Sequence, residues 1–139
     1  MQKFITNLFL SLYVGLYRLT GGRFGGSMRG FKILLLHTIG RKSGQAHTTP
    51  LGYFENDGGY VIVASNSGSD KNPGWYYNLK NGSQVEIEMQ DRRLQAQVQM
   101  IDSASRPAIW KKIVAAAPNY GAYEKQTKRE IPLVWLKPM

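Results

Sequence analysis

The stretch from Ser83 to Ile101 restricts the fold more than any other part of the chain. "SQVEIEMQ" and "LQAQVQMI" both alternate apolar and polar residues. Val85, Ile87 and Met89 share one face, with Glu86, Glu88 and Gln90 on the other, and Leu94, Ala96, Val98 and Met100 repeat the pattern. A period of two belongs to a strand with one buried face, whereas a helix would scatter the same residues around its circumference. The turn between the runs, at Asp91–Arg92, is too short for a crossover, so the strands are antiparallel. Two half-buried strands need further strands to cover their apolar face, as in a small antiparallel barrel.

Those strands are legible elsewhere. "FKILLLHTIG" reads as a buried strand stopped by Gly40. "HTTPLGYF" follows as a second, in which Pro50 requires an edge position or a bulge. "ENDGG" is a hairpin turn, with Gly58 and Gly59 able to take positive φ. "YVIVAS" is a strongly β-branched strand, and "IPLVWL" closes the chain as the last one. "WYYNLKN" predicts a short helix with Pro73 near its start and Gly82 beyond its end. "SASRPAIWKKIVAAAP" predicts another, with Ile109, Trp110, Ile113 and Val114 on one face and Pro118 as its stop. "NYGAYEKQTKRE" reads as a polar, tyrosine-bearing loop. The expectation is an α+β single domain over 1–139, with an N-terminal helix (1–19), a glycine-rich connector (20–30) and the barrel (31–139). The connector has five glycines in eleven residues from Thr20 to Gly30, which should end the helix.

The chain has no cysteine. That excludes disulfides, thiolate metal sites and cysteine nucleophiles, and favours an intracellular protein. With only His37 and His47 as imidazoles, no histidine-rich metal site is expected. The net charge of +9 is unevenly placed: residues 1–54 hold seven Lys/Arg and no acid. Such an acid-free half favours an anionic partner there, whether a membrane surface, a nucleic acid or a polyanionic small molecule. No RNP or helix-turn-helix pattern supports nucleic acid. "FITNLFLSLYVGLY" (4–17) is too short and too interrupted to span a bilayer, which takes roughly 20 apolar residues. Flanked by Lys3, Arg18 and Arg23, it suits either core packing or a membrane-interface position.

Three constellations carry chemistry. Gly40-Arg41-Lys42-Ser43-Gly44 offers flexible backbone N–H groups, a hydroxyl and two cations, which are the groups that hold a phosphate; a solvated basic turn is the plainer alternative. "SNSGSDKNPGWYYNL" places Ser65, Asn66, Ser67 and Gly68 at a strand end, where loops present polar groups to ligands. Trp75 could add a ring face, or with Leu79 form core contacts of a short helix. Tyr120 and Tyr123 could lid a pocket and offer a phenolic proton, or simply pack. No Ser-His-Asp, HExxH or paired-acid motif stands out, so a cofactor that brings its own reactivity suits the chain better than hydrolytic or metal chemistry.

Together, "LLLHTIGRKSGQAHTTPLGYF", "YVIVASNSGSDKNPGWYYNL" and "PNYGAYEKQTKREIPLVWL" resemble the deazaflavin-dependent nitroreductase family, from about Gly26 to Leu136. The resemblance implies a split β-barrel that binds coenzyme F-420, a deazaflavin, in a groove. By the same resemblance Arg41, Lys42 and Ser43 hold the coenzyme phosphate and the start of its oligoglutamate tail. Pro50 and Leu51 border the ring, Ser65 to Gly68 line the groove, and Tyr120 and Tyr123 stand at the substrate pocket. Asn66 replaces a lysine often found in the family, and Ala117 replaces a tyrosine, which implies a wider, less polar pocket. The implied activity is hydride transfer from the reduced coenzyme to an electron-poor small molecule: a quinone, an enone or a nitroaromatic. The implied setting is a cytoplasmic monomer or homodimer, with peripheral contact at the inner face of the membrane through residues 4–17. Two alternatives stay open: an FMN- or FAD-binding split-barrel reductase, and a non-catalytic lipid or cofactor carrier.

Overall fold

The structure is a computed structural model and describes residues 10, 12, 14, 27–28, 31–80, 84–89 and 92–139. One antiparallel sheet contains β1 (Ser27–Met28), β2 (Phe31–Ile39), β3 (Ala46–Asn56), β4 (Gly59–Val63), β5 (Gln84–Met89), β6 (Arg92–Met100) and β7 (Leu133–Pro138). Its order is β1-β2-β3-β4-β7-β6-β5, and a further pairing of β2 with β5 closes the last six strands into a barrel. The closure runs through Leu35↔Glu88, Leu36↔Ile87 and His37↔Glu86. Among the residues from Phe31 onward, three α-helices accompany it: α1 (Gly74–Lys80), α2 (Arg106–Ala116) and α3 (Pro118–Gln126). Most of the expected N-terminal helix and glycine-rich connector lies outside the described residues. Leu10, Leu12 and Val14 are helical, and Val14 packs on Ile33 and Leu35 of β2. Among the described residues no helix is long and apolar enough to cross a membrane.

The alternation read from the sequence sets the core. Leu34, Leu36, Ile62, Val85, Ile87, Met89, Ala96, Val134 and Leu136 fill the barrel, and Trp75 and Leu79 of α1 pack into the same cluster. A second cluster lies outside the barrel wall, where Val61, Val63 and Leu133 meet Trp110, Ile113, Ala117 and Tyr120. β4 therefore buries both faces, which is why "YVIV" is apolar without interruption. Each fully buried aliphatic chain adds about 1.5–3 kcal/mol. Pro50 pairs with Leu35 of β2, while the β3–β4 ladder covers only Tyr53–Asn56. The proline thus lies in the part of β3 that is a local edge, as its missing N–H requires.

Four expectations need correction. The β3–β4 turn is Asp57–Gly58, with φ of 50° and 76°, because Asn56 pairs with Gly59; two left-handed residues match the twist of a two-residue hairpin. Gly59 is instead needed for space, since a Cβ there would fall on the Trp135 indole and within 2.9 Å of Leu136 O. Arg92 belongs to β6 and pairs with Met89 rather than forming the turn; residues 90 and 91 lie outside the described residues. Glu88, assigned to the polar face, is buried because His37 Nε2 lies 2.6 Å from its Oε1 and Arg93 Nη2 donates to it at 3.3 Å. The tyrosine segment begins as α3 rather than as loop: Pro118 takes the first turn, where its lack of an N–H is harmless. Tyr120 and Tyr123, three residues apart, stack edge to face at 5.9 Å on one side of that helix.

Before α2, the Asp102 carboxylate accepts the Ser105 N–H at 2.8 Å. Hydrogen bonds from the Ser105 backbone and hydroxyl hold its pKa below the ordinary carboxylate value. A lowered folded pKa adds stability above the unfolded value of about 3.9 that is lost as pH falls through the folded one. Melting Asp102→Ala beside the wild type from neutral to acid pH should show two Tm values that differ at neutrality and converge in acid. Gly59→Ala should cost about 1–3 kcal/mol through overpacking against Trp135, read by denaturant unfolding.

Candidate active site

A cleft of about 520 Å³ opens where β3 has only β2 beside it. One wall is the strand itself, with Thr49, Pro50, Leu51 and Gly52 backed by Ile33. Opposite stand Ser65, Asn66 and Ser67, in the loop that leaves β4. Pro73, Trp75 and Val63, with Asn119, Tyr120 and Tyr123 of α3, complete the lining. The lining is an apolar slot with a few hydroxyl, amide and phenol groups, the composition of a site for a flat organic ligand.

Eight residues singled out from the sequence meet here: Pro50, Leu51, Ser65, Asn66, Ser67, Trp75, Tyr120 and Tyr123. Trp75 is buried in the barrel cluster, as the core reading has it, and also borders the cleft. Gly68 is not on the lining. It is buried beneath α3, where a Cβ would come within 3.2 Å of Tyr123 Cα and press on the Gln126 amide. Ala117 is also off the lining, buried in the outer cluster at the α2–α3 junction, so its small size does not widen the cleft directly. Sequence reasoning missed Ile33, Thr49, Gly52, Val63, Pro73 and Asn119. Asn119 could have been found from its place beside Tyr120 once α3 was read as a helix.

Arg41, Lys42 and Ser43 lie on an exposed turn outside the cleft. The turn's glycine N–H groups are consumed in closing it: Gly44 donates to Gly40 O and Gly40 to Gln45 O, both at 2.8 Å. Ser43 Oγ accepts the Gln45 N–H at 3.2 Å. The two glycine N–H groups are therefore not available to an anion, which leaves the Ser43 hydroxyl and the cationic side chains of Arg41 and Lys42 to attract one. Helix α1 links turn and cleft. Trp75 borders the cleft, while Asn78 Oδ1 accepts the Arg41 N–H at 3.1 Å and the Arg41 guanidinium lies 5.1 Å from the centre of the Tyr77 ring. From Trp75 to Asn78 the helix rises only about 4.5 Å, so the cleft and the basic turn lie close together along α1.

The loop opposite β3 has an unusual backbone. Asn66, Ser67 and Gly68 take φ of 47°, 55° and 81° in succession. For the two residues with side chains this conformation costs roughly 1–2 kcal/mol each. The backbone bonds Gly68 N–H to Ser65 O at 3.0 Å and Ser69 N–H to Asn66 O at 3.1 Å close the turn, and the Asn66 amide donates to Lys71 O at 3.0 Å.

The sequence model of the F420H(2)-dependent quinone reductase family matches residues 10–138. The chain belongs to that family. A curated relative, an F420H(2)-dependent quinone reductase of Mycobacterium tuberculosis, is 34% identical over 140 residues, covering 98% of this chain and 94% of the relative. A solved F420-H2 dependent reductase is 35% identical with a TM-score of 0.67, over 76% of this chain and 93% of its own. A structure described as a domain-swapped dimer is 29% identical with a TM-score of 0.70, over 98% of both chains. This member of the quinone reductase family is thus an oxidoreductase that uses coenzyme F-420, on a split-barrel fold. The donor set suits that coenzyme: an apolar slot for a planar ring, hydroxyls and amides at its edge, and cations beyond α1 for an acidic tail.

Gly68→Ala tests how tightly the loop is held. The new methyl meets Gln126 and Tyr123 in a left-handed conformation, so the variant should lose about 1–3 kcal/mol by thermal unfolding, with the cleft loop displaced.

Proposed function

We propose that this cleft seats the ring of coenzyme F-420 between β3 and the Ser65–Ser67 loop. The phosphate and oligoglutamate tail run beside α1 to Arg41 and Lys42, and the quinone enters beside Tyr120 and Tyr123. The carrying observation is that residues from five separate segments converge on one cleft, and that α1, which borders it through Trp75, also holds the basic turn through Asn78 and Tyr77. When bound, the reduced deazaflavin supplies a hydride. The chain's own part is placement and protection. Pro50, Leu51 and Trp75 exclude water along the ring. Ser65, Asn66 and Ser67 offer polar groups to its edge. The Tyr120 and Tyr123 phenols border the acceptor side, where either Oη, or a water, can deliver the proton that a reduced quinone oxygen needs. Proximity and orientation then supply most of the rate.

Two finer points belong to the same reading. A lipid-dissolved quinone suits a cytoplasmic enzyme that touches the inner face of the membrane through residues 4–17. Within that segment Leu12 is 59% exposed, whereas Val14 packs on the barrel. A domain-swapped relative favours a homodimer over a monomer, to be decided by light scattering.

Fluorescence titration is the test. Lys42→Ala should weaken coenzyme F-420 binding by about 1–3 kcal/mol, the loss of a charge-assisted contact, with unfolding unchanged. Equal affinity in a folded variant would remove the basic turn from the site. Tighter binding of FMN than of the deazaflavin, in the same titration, would favour the flavin alternative.

A further inference from the structure

We infer that Arg129 is the positioning residue of the cleft, holding the Ser65–Asn72 loop in the shape that receives the coenzyme. This rests on the placement of the coenzyme proposed above. Arg129 follows α3 and is half-buried. Its Nε donates to Ser69 O at 2.9 Å. Its Nη1 donates to Asn72 Oδ1 at 2.7 Å and to Ala64 O at 3.3 Å. Its Nη2 donates to Ser65 O at 2.9 Å, and at 3.3 Å to Lys71 O and to Ala64 O. One planar fork therefore gathers both ends of the loop, from the last residue before it to the residue before Pro73.

Three features give this clip a purpose beyond packing. The loop it holds contains the left-handed run Asn66–Gly68, whose cost must be met by contacts around it. Two residues of that run, Asn66 and Ser67, line the cleft, as does Ser65, whose carbonyl Arg129 holds. The clip also joins the two sides of the cleft, since Arg129 follows the helix that carries Tyr120 and Tyr123. Nearby, Thr127 Oγ1 donates to Asp70 Oδ1 at 2.9 Å, a second tie between the same segments. Among the described residues no carboxylate comes within ion-pair distance of the guanidinium, so carbonyl dipoles balance its charge. A lysine would keep the charge but present all its donors from one nitrogen, and could not reach acceptors spread around a fork.

The test is Arg129→Lys in the full chain, read in two ways. Without coenzyme, hydrogen exchange of residues 65–72 should speed up by about tenfold or more while β2 and β5 keep wild-type protection. With coenzyme, Kd for F-420 should rise by about tenfold or more, and kcat at saturating coenzyme should change by less than about threefold. Wild-type exchange in the loop overturns the inference. So does a loss of protection throughout the barrel, which would make Arg129 a general structural residue. Fast loop exchange with wild-type affinity also overturns it, and Lys42→Ala in the same titration shows which premise failed. If Lys42→Ala weakens binding, the clip does not serve the site; if it does not, the coenzyme is not placed as proposed.

Discussion

Everything in this structure depends on β2 being paired on both sides. One strand of nine residues carries the β3 ladder along nearly its whole length and accepts β5 at its centre, and that second pairing turns a sheet into a barrel. Leu34 and Leu36 then face the interior, while Ile33 and Leu35 face Val14 outside. The uninterrupted "ILLL" is the sequence mark of a strand with no solvated face. Closure also fixes the end of the barrel. There β2 runs into the basic turn, and Thr38 Oγ1 accepts from Asn78 of α1 at 3.3 Å, which ties the helix across that end.

Much of the barrel was legible because it rests on period-two burial. Val85, Ile87 and Met89 declare their face without reference to anything distant. The illegible parts depended on partners far away in sequence. Glu88 obeys the alternation, yet it is covered because His37 and Arg93 arrive to satisfy it. Gly59 has the look of a turn glycine because glycine pairs mark turns, whereas its role comes from Trp135, which lies many residues later. The tyrosine helix was hidden by its polar composition and by Gly121. That glycine lets α3 approach α2, since a Cβ there would stand 3.2 Å from Val114.

The site divides along the same line. Ser65 to Ser67, at a strand end, were singled out from local chemistry, while Pro50 and Leu51, inside β3, were reached only through a family resemblance spanning most of the chain. The basic turn was legible as charge, but not as geometry: its glycine N–H groups close the turn and the Arg41 N–H goes to Asn78 of α1. Arg129 gave no local sign at all. An arginine in a polar run looks like a solvated cation, and only the folded chain shows a fork closing on four backbone carbonyls and an amide.

The open edge of β3 has one more consequence. From Ala46 to Gly52 this strand has β2 alone as its described neighbour, and Thr49 to Gly52 border the cleft. A ring seated there as proposed would lie along the backbone of β3 on one flank and face the side chains of α3 on another. Peptide groups are the same whatever residue bears them, so substitutions along that flank can accumulate without erasing recognition. On the placement proposed above, changes in what is reduced would concentrate on the flank of Asn119, Tyr120 and Tyr123.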